Sequence, residues 1–111
     1  MHIGILLTTS PEHQNTFTVY QLAASFIRLD HTVDIFLMDD GVFNVLVNSS
    51  KRKLFSRFDD LIEKKVNIGL CSMSAESRGI KREDLMPGTD YASQTGLSEI
   101  VKKCDRFLSF G

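Results

Sequence analysis

Hydrophobic positions along the chain alternate between short strand-like runs and longer segments with helical spacing. The strand-like runs fall at residues 3–7, 32–38, 66–71 and 106–110. Runs of this length are typical of strands in a parallel sheet, and the segments between them are long enough for helical crossovers. The alternation predicts about five strands, four of which it locates, and about four helices. The predicted fold is a three-layer α/β/α sandwich on a mostly parallel, five-stranded sheet.

Three segments carry apolar residues at helical spacing. In the first, Asn15 or Thr16 is the predicted N-cap, and the apolar face is Val19, Leu22, Ala23, Phe26 and Ile27. In the second, the apolar residues are Leu54, Phe55, Phe58, Leu61 and Ile62. The last segment starts at Ser93 or Thr95, and its apolar face is Leu97, Ile100, Val101 and Cys104. This spacing places Cys104 on a buried stripe and predicts an inert, structural thiol.

Composition narrows the class of protein. The chain has 111 residues, 42% of them hydrophobic, which predicts one compact domain spanning residues 1–111. Thirteen basic and 14 acidic residues leave no electrostatic footprint for nucleic acid. No apolar run is as long as a membrane span, and the amino terminus runs directly into a strand, so we expect a cytoplasmic protein with no membrane partner.

Cofactor motifs are missing from the sequence. Two cysteines 33 positions apart, without a secretion signal, indicate reduced thiols rather than a disulfide. No CxxC pair or Cys/His cluster indicates a metal site. Neither GxGxxG nor a P-loop follows a predicted strand. We therefore expect no metal and no cofactor.

Cys71 is the main candidate for chemistry. A buried strand ends at this residue, and small polar residues that begin a helix follow it, so the thiol faces a helix amino terminus that favours thiolate. Ser72 and Ser74 are small enough to let a substrate approach the sulfur. Arg78 lies two helical turns on, about 10 Å away, which is too far for an ion pair with the thiolate and suits an anchor for the loop. The alternative is that Cys71 is a buried residue that only packs.

Several polar segments have a functional and a structural interpretation. His13 follows the first strand and is either a proton carrier or ligand contact, or a solvated loop residue. Residues 39–41, Asp-Asp-Gly, could form a turn that caps a helix or a metal site. The pattern favours the turn. The basic run at 51–53 is typical of a solvated loop. Residues 81–90 are predicted to form a loop, which could cover the thiol.

The residues around the cysteine resemble those of a known family. Its pattern Cys-x-x-x-Ala-x-x-Arg-Gly-apolar is matched by Cys71, Ala75, Arg78, Gly79 and Ile80. The opening strand, the turn at residues 40–42 and the closing strand are also similar to those of the DsrE/DsrF family, which includes TusD-like sulfur-relay proteins. Asp30 stands where many relatives have a glycine.

The resemblance implies a DsrEFH-like fold and small homo- or hetero-oligomers. It also implies that Cys71 carries sulfane sulfur as a persulfide between donor and acceptor proteins, as a possible sulfurtransferase subunit. A second hypothesis is a non-catalytic subunit that forms oligomers or binds a small ligand, in which Cys71 is structural. A small-anion or nucleotide sensor is a third hypothesis, which the absence of a phosphate loop disfavours.

Overall fold

Five strands and four α-helices make up the described part of the computed structural model, residues 1–47 and 57–111. The strands are His2–Leu7 (β1), Thr32–Leu37 (β2), Asn67–Cys71 (β3), Thr89–Ala92 (β4) and Arg106–Phe110 (β5). The α-helices are Gln14–Arg28 (α1), Phe58–Glu63 (α2), Ser72–Glu76 (α3) and Gln94–Lys103 (α4). Two short 3₁₀ helices occupy Asp39–Val45 and Arg82–Asp84.

The sheet has the order β4-β3-β2-β1-β5, and each neighbouring pair is parallel. The chain steps in one direction from β1 to β4, so right-handed crossovers place α1, α2 and α3 on the same face. It then crosses the whole sheet from β4 to β5, which places α4 on the opposite face. The predicted three-layer α/β/α sandwich is confirmed, and all five strands are parallel.

The two faces of the sheet are covered unequally. On the α1 face the core is closed, because Ile5, Leu7 and Ile35 are fully buried there. On the other face α4 has no buried residue at all. Among residues 1–47 and 57–111, α4 is the only α-helix on that face.

Cys104 lies on the face of the sheet that carries α4, which we call the open face. Its predicted burial is wrong. The residue is half-buried at the C-cap of α4, with its sulfur over Gly4 of β1, and Val101 is 49% exposed. Helical spacing identified the apolar side of α4 correctly, but burial of that side requires neighbouring elements, and the described residues supply none that buries it.

The fourth strand was not located from the sequence. Strand β4 is a four-residue edge strand without an apolar run, and its first two residues fall inside the loop predicted at 81–90. The rest of that segment packs on the 3₁₀ helix at Asp39–Val45, since Leu85 is buried and the Met86 N–H donates to the Val45 carbonyl at 2.8 Å. The segment thus crosses the sheet face toward the start of β4.

The ends of α1 also differ in part from expectation. The N-cap is His13, whose Nδ1 accepts the Asn15 N–H at 3.1 Å, and not Asn15 or Thr16. After α1 the chain turns at Asp30, which has φ 66°. This left-handed conformation is the one that glycine adopts most readily, and Asp is among the few other residues that tolerate it.

Two further expectations concern residues 51–55 and membrane-spanning helices. The basic run at 51–53 and the apolar pair at 54–55 lie outside the described residues, and α2 begins at Phe58. Within the described ranges, no helix combines the length and the apolar character needed to cross a membrane.

Gly41 allows the chain after β2 to approach the end of β1. The Met38 N–H donates to the Leu7 carbonyl at 3.1 Å, and a Cβ on Gly41 would overlap that carbonyl oxygen. Because the obstacle is backbone in the central strand, it cannot move aside cheaply. The close approach fixes the 3₁₀ helix that borders the carboxyl end of β3.

Gly41→Ala is therefore expected to lower the free energy of unfolding by about 1–3 kcal/mol, measured by urea denaturation. Gly69→Ala is the matched control, because a Cβ there meets its nearest atom at an ordinary 3.6 Å. Equal stability of the two variants would show that close approach is not the reason for glycine at position 41.

Candidate functional site

Cys71 is the last residue of β3 and the N-cap of α3. It pairs with Ala92 of β4, and 1% of its surface is exposed. The position at the carboxyl end of a strand agrees with the sequence prediction. The other cysteine, Cys104, precedes the amino end of β5. It therefore lies toward the end of the sheet opposite to Cys71, where the parallel strands begin. The two thiols are both free.

The surroundings of the Cys71 sulfur stabilise a negative charge. Burial raises the pKa of the thiol, but hydrogen bonds lower it by more, so that the pKa lies below its usual value. The donors are the backbone and hydroxyl of Ser74, the backbone of Met73 and the side chain of Gln94. Helix α3 has only five residues, so these individual donors, rather than a long helix dipole, account for the effect.

Ser74 is held in place from both sides. Its Oγ accepts the Asp39 N–H at 3.0 Å, which leaves the hydroxyl proton to be donated to sulfur. Its carbonyl accepts hydrogen bonds from Ser77 Oγ and Arg78 Nη1, each at 3.1 Å. Only 8% of Ser74 is exposed. The residue therefore connects the thiol to the turn after β2 in a fixed orientation.

Arg78 joins α3 to the same turn. Its Nε donates to Asp40 Oδ1 at 3.0 Å, while Nη1 reaches the Ser74 carbonyl. Among the described residues it makes no hydrogen bond to Cys71. The Asp40 side chain is 58% exposed, so the ion pair contributes under about 1 kcal/mol, and its structural effect is to position the loop.

Helix α3 ends as its sequence indicates. Gly79 has φ 71°, and the Ile80 N–H donates to the Ala75 carbonyl at 2.9 Å. This is a Schellman-type helix end, in which the left-handed position favours glycine. Ile80 returns to the core with 6% of its surface exposed.

The structure does not bring His13 to the thiol. The residue is exposed at the start of α1, its Nδ1 is occupied by the Asn15 N–H, and strand β2 separates β1 from β3. Ser72 is half-buried in the first turn of α3 and makes no hydrogen bond through its side chain in the described part of the chain. Within that part, no group of three His, Cys, Asp or Glu residues could hold a metal ion.

Gln94 is the site residue that sequence reasoning missed. It opens α4, two residues after the Ala92 that pairs with Cys71. The parallel pairing of β3 with β4 brings α4 to the same end of the sheet as Cys71, and the Gln94 side chain contributes to lowering the pKa of the thiol. Because β4 carries no apolar run, nothing in the sequence pattern placed residue 94 near residue 71, and only the location of that strand could have done so.

Known proteins of one family resemble this chain. The family model described as the DsrE/DsrF-like family matches residues 1–110. A protein named "TusC homolog" from Aliivibrio fischeri is 32% identical over 99 residues, which cover 80% of this chain and 79% of that protein. The uncharacterized protein MJ0989 of Methanocaldococcus jannaschii is 24% identical, and the match covers 99% of this chain and all of that protein.

A solved structure shares the fold. The crystal structure of the ychN protein from E. coli superimposes with a TM-score of 0.86 at 21% sequence identity, and the match covers 99% of each chain. At this identity the likeness establishes the architecture, including the parallel order of the five strands.

The hydrogen bond from Ser74 predicts a change in thiol acidity. Ser74→Ala removes the hydroxyl donor and should raise the pKa of Cys71, because the lost bond favours only the charged form. The pH profile of iodoacetamide alkylation at Cys71, followed by peptide mass, measures this. Ser77→Ala is the control, since the Ser77 hydroxyl donates to a carbonyl and not to sulfur. An unchanged pH profile in Ser74→Ala would show that the Ser74 hydroxyl does not lower the pKa of Cys71.

Proposed function

The chain belongs to the DsrE/DsrF-like family, and from this membership we propose that it is a cytoplasmic sulfur-relay protein that carries sulfane sulfur as a persulfide on Cys71. The similarity to a protein named as a TusC homolog supports a sulfur-relay role. The observation that carries the proposal is the placement of the Cys71 thiol at the carboxyl end of β3 and at the start of α3, where neighbouring hydrogen-bond donors lower its pKa. A lowered pKa increases the thiolate fraction, which is the form that attacks sulfur.

The transfer step uses thiolates alone. The Cys71 thiolate attacks the terminal sulfur of a donor protein's persulfide, R–S–SH. A new S–S bond forms to Cys71, the S–S bond of the donor breaks, and the donor leaves as the thiolate R–S⁻. The transferred sulfur keeps its proton and its oxidation level, so neither a metal nor a cofactor takes part. Attack by an acceptor thiolate on the persulfide reverses the same chemistry and returns Cys71 to thiolate.

The position of the second thiol supports a relay over a dithiol oxidoreductase. Cys104 lies toward the other edge of the sheet from Cys71, so it does not act as a resolving thiol for Cys71 within one chain. The sulfur therefore leaves Cys71 by transfer to another molecule. Donor and acceptor proteins are the partners that this chemistry requires.

We also propose that the protein works as a homo- or hetero-oligomer. On the open face of the sheet, Val101 and Phe107 are 49% and 36% exposed, and α4 buries none of its residues. Apolar side chains left uncovered in this way favour association with another subunit. A balanced charge gives no support to nucleic acid as the partner.

A second candidate function rests on the burial of the thiol. With 1% of its surface exposed, Cys71 also fits a structural residue in a non-catalytic subunit that forms oligomers or binds a small ligand. In that case a thiol reagent would label Cys71 only when denaturant is present, while the relay requires labelling of the folded protein.

Sulfur loading tests the proposal. After incubation with a persulfide donor, wild-type protein should gain the mass of one sulfur under non-reducing conditions, and a thiol reductant should remove it. Cys71→Ser should abolish the gain and leave the unfolding curve unchanged. Cys104→Ser, at a half-buried thiol, is the matched control and should still load.

The loading experiment has a clear negative outcome. No gain of sulfur in wild type, together with no labelling of Cys71 in the folded protein, would reject the relay in favour of the non-catalytic subunit. A gain that persists in Cys71→Ser would place the sulfur on another residue.

A further inference from the structure

A groove of about 830 Å³ runs along the open face of the sheet beside α4. Its floor is made by residues of β2, β3 and β4, namely Asp34, Phe36, Asn67, Gly69, Asp90 and Ala92. Its wall is one side of α4, made by Gly96, Glu99, Ile100 and Lys103. Val101 and Phe107 do not line it, so the groove is separate from the exposed apolar residues that favour association.

The groove leads to the end of the sheet at which Cys71 lies. Ile68 and Leu70 of β3 belong to the closed core, so the alternating side chain of Cys71 points to the open face. Ala92 lines the groove and pairs with Cys71, and neighbouring strands are about 4.8 Å apart. The thiol therefore lies beside one end of the groove.

The two ends of the groove differ in chemistry. Helix α4 begins over the carboxyl end of the sheet, where a Cβ on Gly96 would lie 3.3 Å from the Cβ of Ala92. Its last turn lies over Gly4, near the amino end of β1. Lys103 is therefore at the amino end of the sheet, as is Lys65, which precedes β3 by two residues. The end beside the thiol has small side chains, and the far end carries two lysines.

Four charged side chains of the groove are available to a ligand. Besides Lys65 and Lys103 they include Asp90, which pairs with Gly69 halfway along β3, and Glu99, one helical turn before Lys103. All four residues are exposed, and none of them forms an ion pair with any residue that the structure describes. The two carboxylates thus lie between the lysines and the thiol.

Lys65 occupies a position that favours glycine. It follows the C-cap of α2 and has φ 72°. This left-handed conformation is unfavourable for a residue with a Cβ, and glycine is the usual residue at this point of a helix end. The backbone therefore does not explain a lysine here, whereas its charge at the end of the groove does.

We propose that the groove binds a small zwitterionic peptide thiol, about three residues long, whose persulfide donates sulfur to Cys71. This inference rests on the relay function proposed above. The two lysines bind a carboxylate of the ligand, Asp90 and Glu99 bind its ammonium group, and its sulfur lies at Ala92. The five residues of β3 span about 13 Å and an extended tripeptide about 10 Å, so a ligand of this size reaches from the lysines to the thiol.

A slender ligand also suits the burial of the sulfur. Only 1% of Cys71 is exposed, but a ligand in the groove arrives on the face to which the thiol points. Helix α4 buries none of its residues, so it can yield at Gly96 to complete the approach. The Cys71 thiolate then attacks the terminal sulfur of the peptide persulfide R–S–SH. A new S–S bond forms, the S–S bond of the donor breaks, and the peptide leaves as the thiolate R–S⁻.

Other classes of ligand match the groove less well. A nucleotide or another polyphosphate would face the carboxylates of Asp34, Asp90 and Glu99, and like charges repel. An apolar ligand would remove the charged side chains from water without pairing them. Within the described residues, no group of three His, Cys, Asp or Glu residues could hold a metal ion.

Binding is measured by an NMR titration of the protein with S-methylglutathione, a tripeptide derivative that cannot transfer sulfur. The amides of Gly69 and Gly96 should shift, because both residues line the groove. Lys103→Gln should weaken binding about 2–5-fold, the effect of one exposed charge pair. Lys102→Gln is the matched control, since Lys102 is exposed on the same turn of α4 but does not line the groove.

Lys65→Gly offers a variant that does not endanger the fold. It removes the charge and also the unfavourable left-handed conformation, so binding should weaken about 2–5-fold while the protein becomes no less stable to urea. Unchanged binding in both Lys65→Gly and Lys103→Gln would overturn the assignment of the lysines to a ligand carboxylate. Absence of binding by wild type would overturn the site.

Sulfur loading tests the substrate class. The persulfide of glutathione should load Cys71 at lower donor concentration than the persulfide of 2-mercaptoethanol, which lacks the charges, and Lys103→Gln should reduce the difference. Equal loading by the two donors would overturn the peptide thiol as substrate while leaving the relay intact. Binding of S-methylglutathione without loading by any persulfide donor would refute the relay alone.

Discussion

Parallel strands impose the constraint on which the candidate site depends. In a sheet whose strands all run the same way, every segment that leaves a carboxyl end does so at the same edge. Asp39 follows β2, Cys71 ends β3 and Gln94 follows β4, and the sheet places these strands side by side. Residues far apart in the chain thus come together at the carboxyl end of β3, and the groups that lower the pKa of Cys71 come from two successive crossovers.

The unequal faces of the sheet divide the molecule into two regions. One face carries α1, α2 and α3 over a closed apolar core, and this rigid side supports the turn that Gly41 brings against β1. The opposite face carries α4, which lacks buried residues but supplies Gln94 from its first turn. Ile68 and Leu70 of β3 belong to the closed core, so the alternating side chain of Cys71 points to the α4 face, and the thiol lies on the less covered side of the sheet.

Local sequence signals predicted the elements well and the contacts between them less well. The strand-to-helix change at Cys71, the glycine that ends α3 and the Ser93 cap of α4 are decided within a few residues, and the structure agrees with each of them. Strand β4 lacks a local signal because an edge strand needs no apolar run. Burial of Cys104 and contact by Gln94 depend on which elements pack together, and the spacing of residues along one helix carries no such information.

The groups around Cys71 favour a negatively charged sulfur over a neutral one. The groups that lower the pKa of Cys71, from Met73, Ser74 and Gln94, act as hydrogen-bond donors, so they favour the thiolate over a neutral sulfur. A mixed disulfide or a thioether at this position therefore loses the stabilisation that a thiolate receives. This bias works against long-lived neutral conjugates at Cys71.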